Sequence, residues 1–326
     1  MKYIVFILKL FLDAVRDTLK IVKHFNLIKH NNFLVIFKMF IIRFFFSFSS
    51  IRKFQKIKSS NYISKEIYFE NPEINVEKIS NEIDNLGYAN SLKLKENYVE
   101  ELKKLIFDSQ NFDLKKISKK KLNLKKMDDE SEKDYLQRLE SLEISRLTGT
   151  INLNDENILK NIITSKSLLE IAKSYLNTDC ISVNATYFIS SPIETSKEEK
   201  YSNAQYFHWD NDFFKFFKFY IYLSDVDEFA GPHVFIPFSH KYKKKQHRLC
   251  RLYSDDKVLS EYKDIKYFKG PAGMSFFTDS YGLHKGVTPL NKYRLMLNIH
   301  FGKGKLLYSK NDLFINLKKQ KIEKKN

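Results

Sequence analysis

The apolar residues change period near Asn177, and that change limits what the chain can fold into. Ahead of it, the run Ser-Leu-Leu-Glu-Ile-Ala-Lys-Ser-Tyr-Leu over 167–176 repeats at helical spacing. Beyond it, β-branched and aromatic residues gather in short alternating runs at 181–190, 206–210, 213–224, 232–238, 273–277, 283–287 and 293–301. Short strands in this number and at this spacing predict an antiparallel barrel or jelly roll. With helices in front of it, the predicted class is mainly β with flanking α-helices.

Two of these runs bear chemistry. Residues i and i+2 of a strand share a face, so His208 and Asp210 point one way and Trp209 the other. Two imidazoles and a carboxylate, with His284 as the second histidine, make the ligand set of a facial triad for non-haem Fe(II) with open positions. In the last run Arg294, Met296, Asn298 and His300 share one face, and Leu295, Leu297, Ile299 and Phe301 the other. A buried arginine without a counter-charge is costly. A carboxylate of a bound co-substrate, gripped by the guanidinium fork, is a natural partner.

The stretches His208-Trp209-Asp210, Gly231-Pro232-His233-Val234-Phe235-Ile236-Pro237-Phe238-Ser239-His240 and Gly273-Met274-Ser275-Phe276-Phe277-Thr278-Asp279, together with His284 and Arg294, bear a likeness to known enzymes. In them the chain resembles the phytanoyl-CoA dioxygenase family of Fe(II)/2-oxoglutarate-dependent oxygenases. The resemblance is strong over 181–301, is traceable back to about Glu73, and does not reach residues 1–70. It implies a double-stranded β-helix, the cupin-like jelly roll. It implies that His208, Asp210 and His284 bind the metal and that Arg294 binds the distal carboxylate of 2-oxoglutarate. Tyr220 and Tyr222 share a strand face and are the aromatic candidates beside the co-substrate. Position 286 is Gly where some members have a hydroxyl residue, which leaves Thr288 as a substitute contact. Asp210 argues against a halogenase, which would free a coordination position. The implied reaction consumes O₂ and 2-oxoglutarate, with ascorbate as a candidate reductant, and yields succinate and CO₂. Its expected substrate is a small or lipid-linked molecule, with hydroxylation as the simplest outcome. A jelly-roll module that keeps the metal without turnover is one rival, and a peripheral membrane protein of lipid or glycan assembly is the other.

Other residues have plainer readings. Trp209 suits packing on the far face, and Asp212 a loop hydrogen bond. His240 suits a supporting place behind the metal site or a turn cap, and His233 and His300 suit satisfied structural histidines. Asp225, Asp227 and Glu228 suit a solvated turn. The aromatic run 213–219 suits packing, with a hydrophobic substrate channel as the sharper alternative. The basic insertion 239–268 suits a solvated excursion, with a lid over the site as the alternative.

The chain divides at composition shifts. Residues 1–70 form an apolar and basic N-terminal segment with a connector over 51–70. The domain proper is expected over 71–305, with a helical entry at 71–178, strands at 179–302 and a loose basic tail at 306–326. In the entry, Asn71 and Pro72 are expected to open a helix through Ile83, with Gly87 ending it. Further helices are expected over 97–109, 136–147 and 156–175, with loops at 110–135 and 191–205. Lys38 and Arg43 interrupt the apolar run 33–48, which suits a helix in a membrane interface or one docked on the domain. The net charge of +17 favours anionic partners such as a membrane surface or an acidic substrate. No recognisable nucleic-acid module accompanies it. Two cysteines, Cys180 and Cys250, suit a reducing cytoplasm.

Overall fold

The computed structural model describes residues 57–58, 62–64, 67–71, 73–108, 125–155, 157–210, 215–244, 252–303 and 313–318, with isolated positions nearer the N-terminus. The expectations for residues 1–50, for most of 110–135, and for Asp212, Phe213 and Phe214 therefore lie outside the described residues. No helix among the described residues is long and apolar enough to cross a membrane.

The entry starts earlier than composition suggests. Strand β1 (Ile63–Ser64) pairs with β2 (Ile74–Asn75), so Asn71 cannot open a helix. Its Oδ1 instead accepts from the Lys93 amide at 3.0 Å. Helix α1 (Val76–Leu86) is capped by Asn75, whose side chain accepts from Lys78 N. It ends at Gly87 with φ 86°. A Cβ there would also meet His240 Nδ1 at 2.7 Å, so both backbone and space require glycine. The connector is tied down as well, because Ser174 Oγ donates to Lys58 O at 2.6 Å and Phe69 is in the core.

Strand β3 (Tyr88–Lys93) leads to α2 (Glu96–Phe107), which buries Val99, Leu102 and Ile106. Helix α3 (Glu132–Ser141) opens at Ser131, whose Oγ accepts from Asp134 N. The helix expected over 136–147 stops here. Arg146–Ile151 is strand β4 instead, with Leu147 and Ile151 buried on alternate positions. Gly149 between them takes the ring of Tyr187 against its backbone. The single helix expected over 156–175 is two, α4 (Ile158–Ile163) and α5 (Lys166–Leu176). At the break, Thr164 Oγ1 donates to Lys160 O at 2.7 Å, a side-chain bond that competes with the helix ladder. The loop expected over 191–205 contains α6 (Lys197–Ser202), opened by a Ser196–Glu199 capping box.

The remaining strands build two antiparallel sheets. They are β5 (Cys180–Ser190), β6 (Phe207–His208), β7 (Phe216–Tyr222), β8 (His233–Phe235), β9 (Leu252–Tyr253), β10 (Lys266–Phe268), β11 (Met274–Thr278), β12 (His284–Gly286), β13 (Arg294–Lys303) and β14 (Leu313–Asn316). The large sheet runs β14-β5-β13-β7-β11-β3, and β4 shares with β14 one edge of β5. The small sheet runs β10-β8-β12-β6-β9. The tail is thus not wholly loose, since β14 pairs with Cys180–Val183.

Alternation along the strands divides the apolar side chains among three clusters. One face of the large sheet, with Leu295, Leu297, Ile299 and Phe301, packs on the helices. Its other face meets the small sheet, where Phe268 stacks on Phe276 at 3.9 Å and Tyr220 lies 4.8 Å from His233 between ring centroids. The back of the small sheet, with Phe207, Trp209, Val234 and Leu283, is covered by Tyr253, Val258, Tyr262 and Ile265. These last residues belong to the basic insertion. The insertion is neither an excursion nor a lid in its described parts. It contributes helix α7 (Ser239–Tyr242), β9 beside β6, helix α8 (Asp255–Leu259) and β10 beside β8, and it closes the back of the small sheet.

Candidate metal centre

Strands β6 and β12 place His284 opposite His208 in register. Their rings face each other with centroids 4.2 Å apart. Asp210 stands two residues beyond His208, and its amide donates to Ser280 O at 2.8 Å, which fixes where the carboxylate turns. His284 Nε2 lies 3.4 Å from Asp210 Oδ2, and His208 Nε2 lies 4.0 Å from Oδ1. One ligand atom from each of the three lies within 4.8 Å of the others. Atoms bound at about 2.1 Å to one octahedral ion in neighbouring positions stand roughly 3 Å apart, so a modest contraction closes the set on an ion.

The tautomers suit this. Nδ1 of His208 is 2.9 Å from Tyr206 O, and Nδ1 of His284 is 3.0 Å from Gly282 O. A carbonyl accepts only, so each Nδ1 carries the proton and each Nε2 presents a lone pair inward. The residues therefore fit an Fe(II)-type ion with protein donors on one side only.

Sequence reasoning missed Lys218. Its Nζ donates to Asp210 Oδ2 at 2.6 Å, with both side chains largely buried. Burial alone would raise the Asp210 pKa. The ammonium of Lys218, then His284 and His208, outweigh it and hold the carboxyl well below its usual value. The available signal was parity, since Lys218 shares the inward face of β7 with Tyr220 and Tyr222.

Arg294 opens β13 and is buried. Nη1 donates to Val287 O at 3.3 Å and Nη2 to Ser190 Oγ at 3.4 Å, both long, while Nε has no partner. No carboxylate among the described residues lies within ion-pair distance of it. Burial lowers its pKa, and Tyr222 offsets this in part. Gly286 explains its own presence, because a Cβ there would lie 3.1 Å from Arg294 Nη2. The glycine lets the guanidinium lie against β12.

The other candidates separate. Tyr220 is on the inward face, stacked on Phe276 at 5.0 Å, and burial raises its pKa so that it stays a donor. The Tyr222 hydroxyl is already committed, donating to Phe268 O at 3.1 Å and accepting from His233 N at 3.0 Å. Thr288 is half-buried in the loop after β12, with no polar link to Arg294 among the described residues. His240 is a packing residue of the α1 end, with Nε2 2.8 Å from Asp84 O, and is not a support of the metal ligands. Asp227 and Glu228 pair with Lys292 and Lys269, as a solvated turn would.

His233 is not the satisfied histidine the sequence suggests. Its ring lies 5.5 Å from that of His284, and its buried Nε2 has no partner. Burial, then the neighbouring His284 and Arg294, push its pKa well below the usual value. A histidine kept neutral in the fold contributes stability that is full above the unfolded pKa of about 6.5 and is lost as pH falls below it. His233→Phe should therefore flatten the acid side of the stability curve by up to about 1.4 kcal/mol per pH unit. Urea unfolding of both proteins at pH 7.5 and 5.5, taken as about one unit either side of the reference pKa, reads this. Equal losses in the two proteins would contradict it.

No family model matches the chain, and no curated protein matches it by sequence. Solved structures do resemble it. EvdMO1 is 12% identical with a TM-score of 0.43, over 71% of this chain and 50% of its own, so the chain spans about half of that protein. HygX from Streptomyces hygroscopicus, solved with nickel, 2-oxoglutarate and hygromycin B bound, is 10% identical with a TM-score of 0.46, over 69% of this chain and 86% of its own. SnoN, a non-heme alpha-ketoglutarate-dependent epimerase from nogalamycin biosynthesis, is 13% identical with a TM-score of 0.43, over 69% and 81%. Values this low leave the assignment to the residues themselves.

Proposed function

We propose that the chain is a non-haem Fe(II)- and 2-oxoglutarate-dependent oxygenase of the double-stranded β-helix type, with the unit from β1 to β14 as its catalytic part and a small molecule as its substrate. The observation behind this reading is the convergence of His208 Nε2, His284 Nε2 and an Asp210 oxygen, with both imidazole tautomers set by backbone carbonyls. Metal and co-substrate of this kind are what HygX was crystallised with, in its nickel form. The resemblance to phytanoyl-CoA dioxygenases belongs to the same reading.

His208, Asp210 and His284 would hold the ion, and Lys218 would keep Asp210 charged and fix its orientation. Arg294, buried and without a carboxylate partner among the described residues, would take the distal carboxylate of 2-oxoglutarate, and Tyr220 would line the same space. Tyr222 would support His233 and the β10 backbone, not the co-substrate. The stacked rings between the sheets keep water from that side of the centre. When bound, ferrous ion with 2-oxoglutarate and O₂ supplies the oxidising power, with succinate and CO₂ as products. Hydroxylation is the simplest outcome.

Succinate formation is the test. The protein with ferrous ion, 2-oxoglutarate, ascorbate and air should form succinate slowly without substrate and faster with a productive one. Absence of succinate from protein that has bound both iron and 2-oxoglutarate would favour a binding module without turnover.

A further inference from the structure

We propose that the inward face of β4 and β5 seats the substrate, and that Arg146 binds an anionic oxygen group on it, a carboxylate or a phosphate. This rests on the oxygenase reading and adds a substrate class to it.

The strand registers set out the site. Arg146 pairs with Ser190, and Ser190 with Arg294, so the two arginines stand in one row across three strands. The next row on the same face is Thr148, Phe188 and Met296, and the next is Thr150, Thr186 and Asn298. Met296 belongs to the cluster between the sheets, whereas Leu147 and Ile151 of β4 belong to the helix side, so the face bearing Arg146 is the inward one.

Arg146 is held ready and left without a counter-charge. Its guanidinium lies 4.0 Å over the ring of Phe188. Nη1 donates to the carbonyl of Asn203, which is itself anchored through Nδ2 to Ser145 Oγ at 3.1 Å. Its Nε is buried with no partner, and no carboxylate among the described residues lies within ion-pair distance. Burial, then the charge of Arg294, push its pKa down to about 10, so it stays a cation that the fold does not neutralise. In the next row Thr148 Oγ1 is also buried without a partner. A stacked, oriented guanidinium with a vacant hydroxyl in the adjoining row is chemistry for a polar anion, not for an acyl chain.

The co-substrate does not account for Arg146. Its distal carboxylate has Arg294, which lies against Gly286 on the small-sheet side. The Arg146 backbone is two strands away, roughly 9–10 Å. Asp210 and a doubly charged co-substrate together do not neutralise a divalent ion, Lys218 and both arginines. An anionic group on the substrate would reduce the excess.

The experiment uses full-length protein loaded with ferrous ion and 2-oxoglutarate without oxygen. Inorganic phosphate and, separately, acetate are titrated in by calorimetry, and 2-oxoglutarate affinity is read from the charge-transfer absorption. At least one anion is expected to bind the parent. Its affinity should fall about ten-fold or more in Arg146→Met and recover in part in Arg146→Lys. In both variants 2-oxoglutarate affinity should stay within about three-fold of the parent. The anion that binds more tightly tells a phosphate-bearing substrate from a carboxylate. Equal melting of the metal-free variants and parent shows that they fold. The proposal is overturned if neither anion binds the parent, if Arg146→Met binds it as tightly, or if Arg146→Met weakens 2-oxoglutarate as much as Arg294→Met does. A parent that gives no charge-transfer absorption fails before any anion is added, and that result overturns the oxygenase reading together with this proposal.

Discussion

Asp210→Ala is expected to abolish ferrous-ion binding and to destabilise the metal-free protein by about 3–5 kcal/mol. Both effects come from one carboxylate. It is the only acidic member of the triad, and it neutralises Lys218 at 2.6 Å inside the fold. Removing it strands a buried ammonium. Lys218→Met removes the other half of the pair and separates the two roles. Without metal, it leaves a buried carboxylate lacking its strongest cation. With ferrous ion bound, that carboxylate regains a positive partner, so the Lys218→Met deficit should shrink on metal addition. The Asp210→Ala deficit should not. Urea unfolding of both variants, with and without metal under anaerobic conditions, reads the difference. Deficits that ignore metal in both variants would show that the pair is structural and the ion is elsewhere.

Arg294→Met should weaken 2-oxoglutarate binding by about 2–5 kcal/mol, roughly 30- to 5,000-fold, as expected when one partner of a buried charge pair is truncated. Its effect on the metal-free protein should have the opposite sign. There the guanidinium is buried with two long hydrogen bonds, an orphaned Nε and no carboxylate partner among the described residues. Replacing it with an apolar chain removes a desolvation cost, so stability should hold or rise. Charge-transfer titration gives the affinity and urea unfolding the stability. A variant that loses stability while binding 2-oxoglutarate normally would make Arg294 a structural residue.

What the sequence makes legible is what periodicity controls. The spacing His208-Trp209-Asp210 forecasts which side chains turn together, and Trp209 does lie in the cluster behind the small sheet. The alternation of β13 forecasts Arg294 facing inward while Leu295 and Leu297 meet the helices. What it hides depends on partners distant in the chain. Lys218 sits in an aromatic run and looks like an edge lysine until Asp210 stands across from it. His233 looks satisfied because the absence of an acceptor cannot be read from a sequence. Arg146 continues an apolar helical pattern, and only its pairing with Ser190 makes β4 a strand. The two-residue strand β9 is hidden behind a basic run, since a strand that short has no period of its own and exists through its pairing with β6. At Asn71, a good cap residue lost to the pairing of Ser64 with Ile74, where tertiary context overrides local propensity.

The most direct measurement is a crystal structure of the protein grown without oxygen in ferrous ion and 2-oxoglutarate, with anomalous scattering collected at the iron edge. The expected result is one iron peak bounded by Nε2 of His208, Nε2 of His284 and an oxygen of Asp210, with the far carboxylate of 2-oxoglutarate on Arg294. A peak away from these three residues, or none in crystals that contain iron, would contradict it.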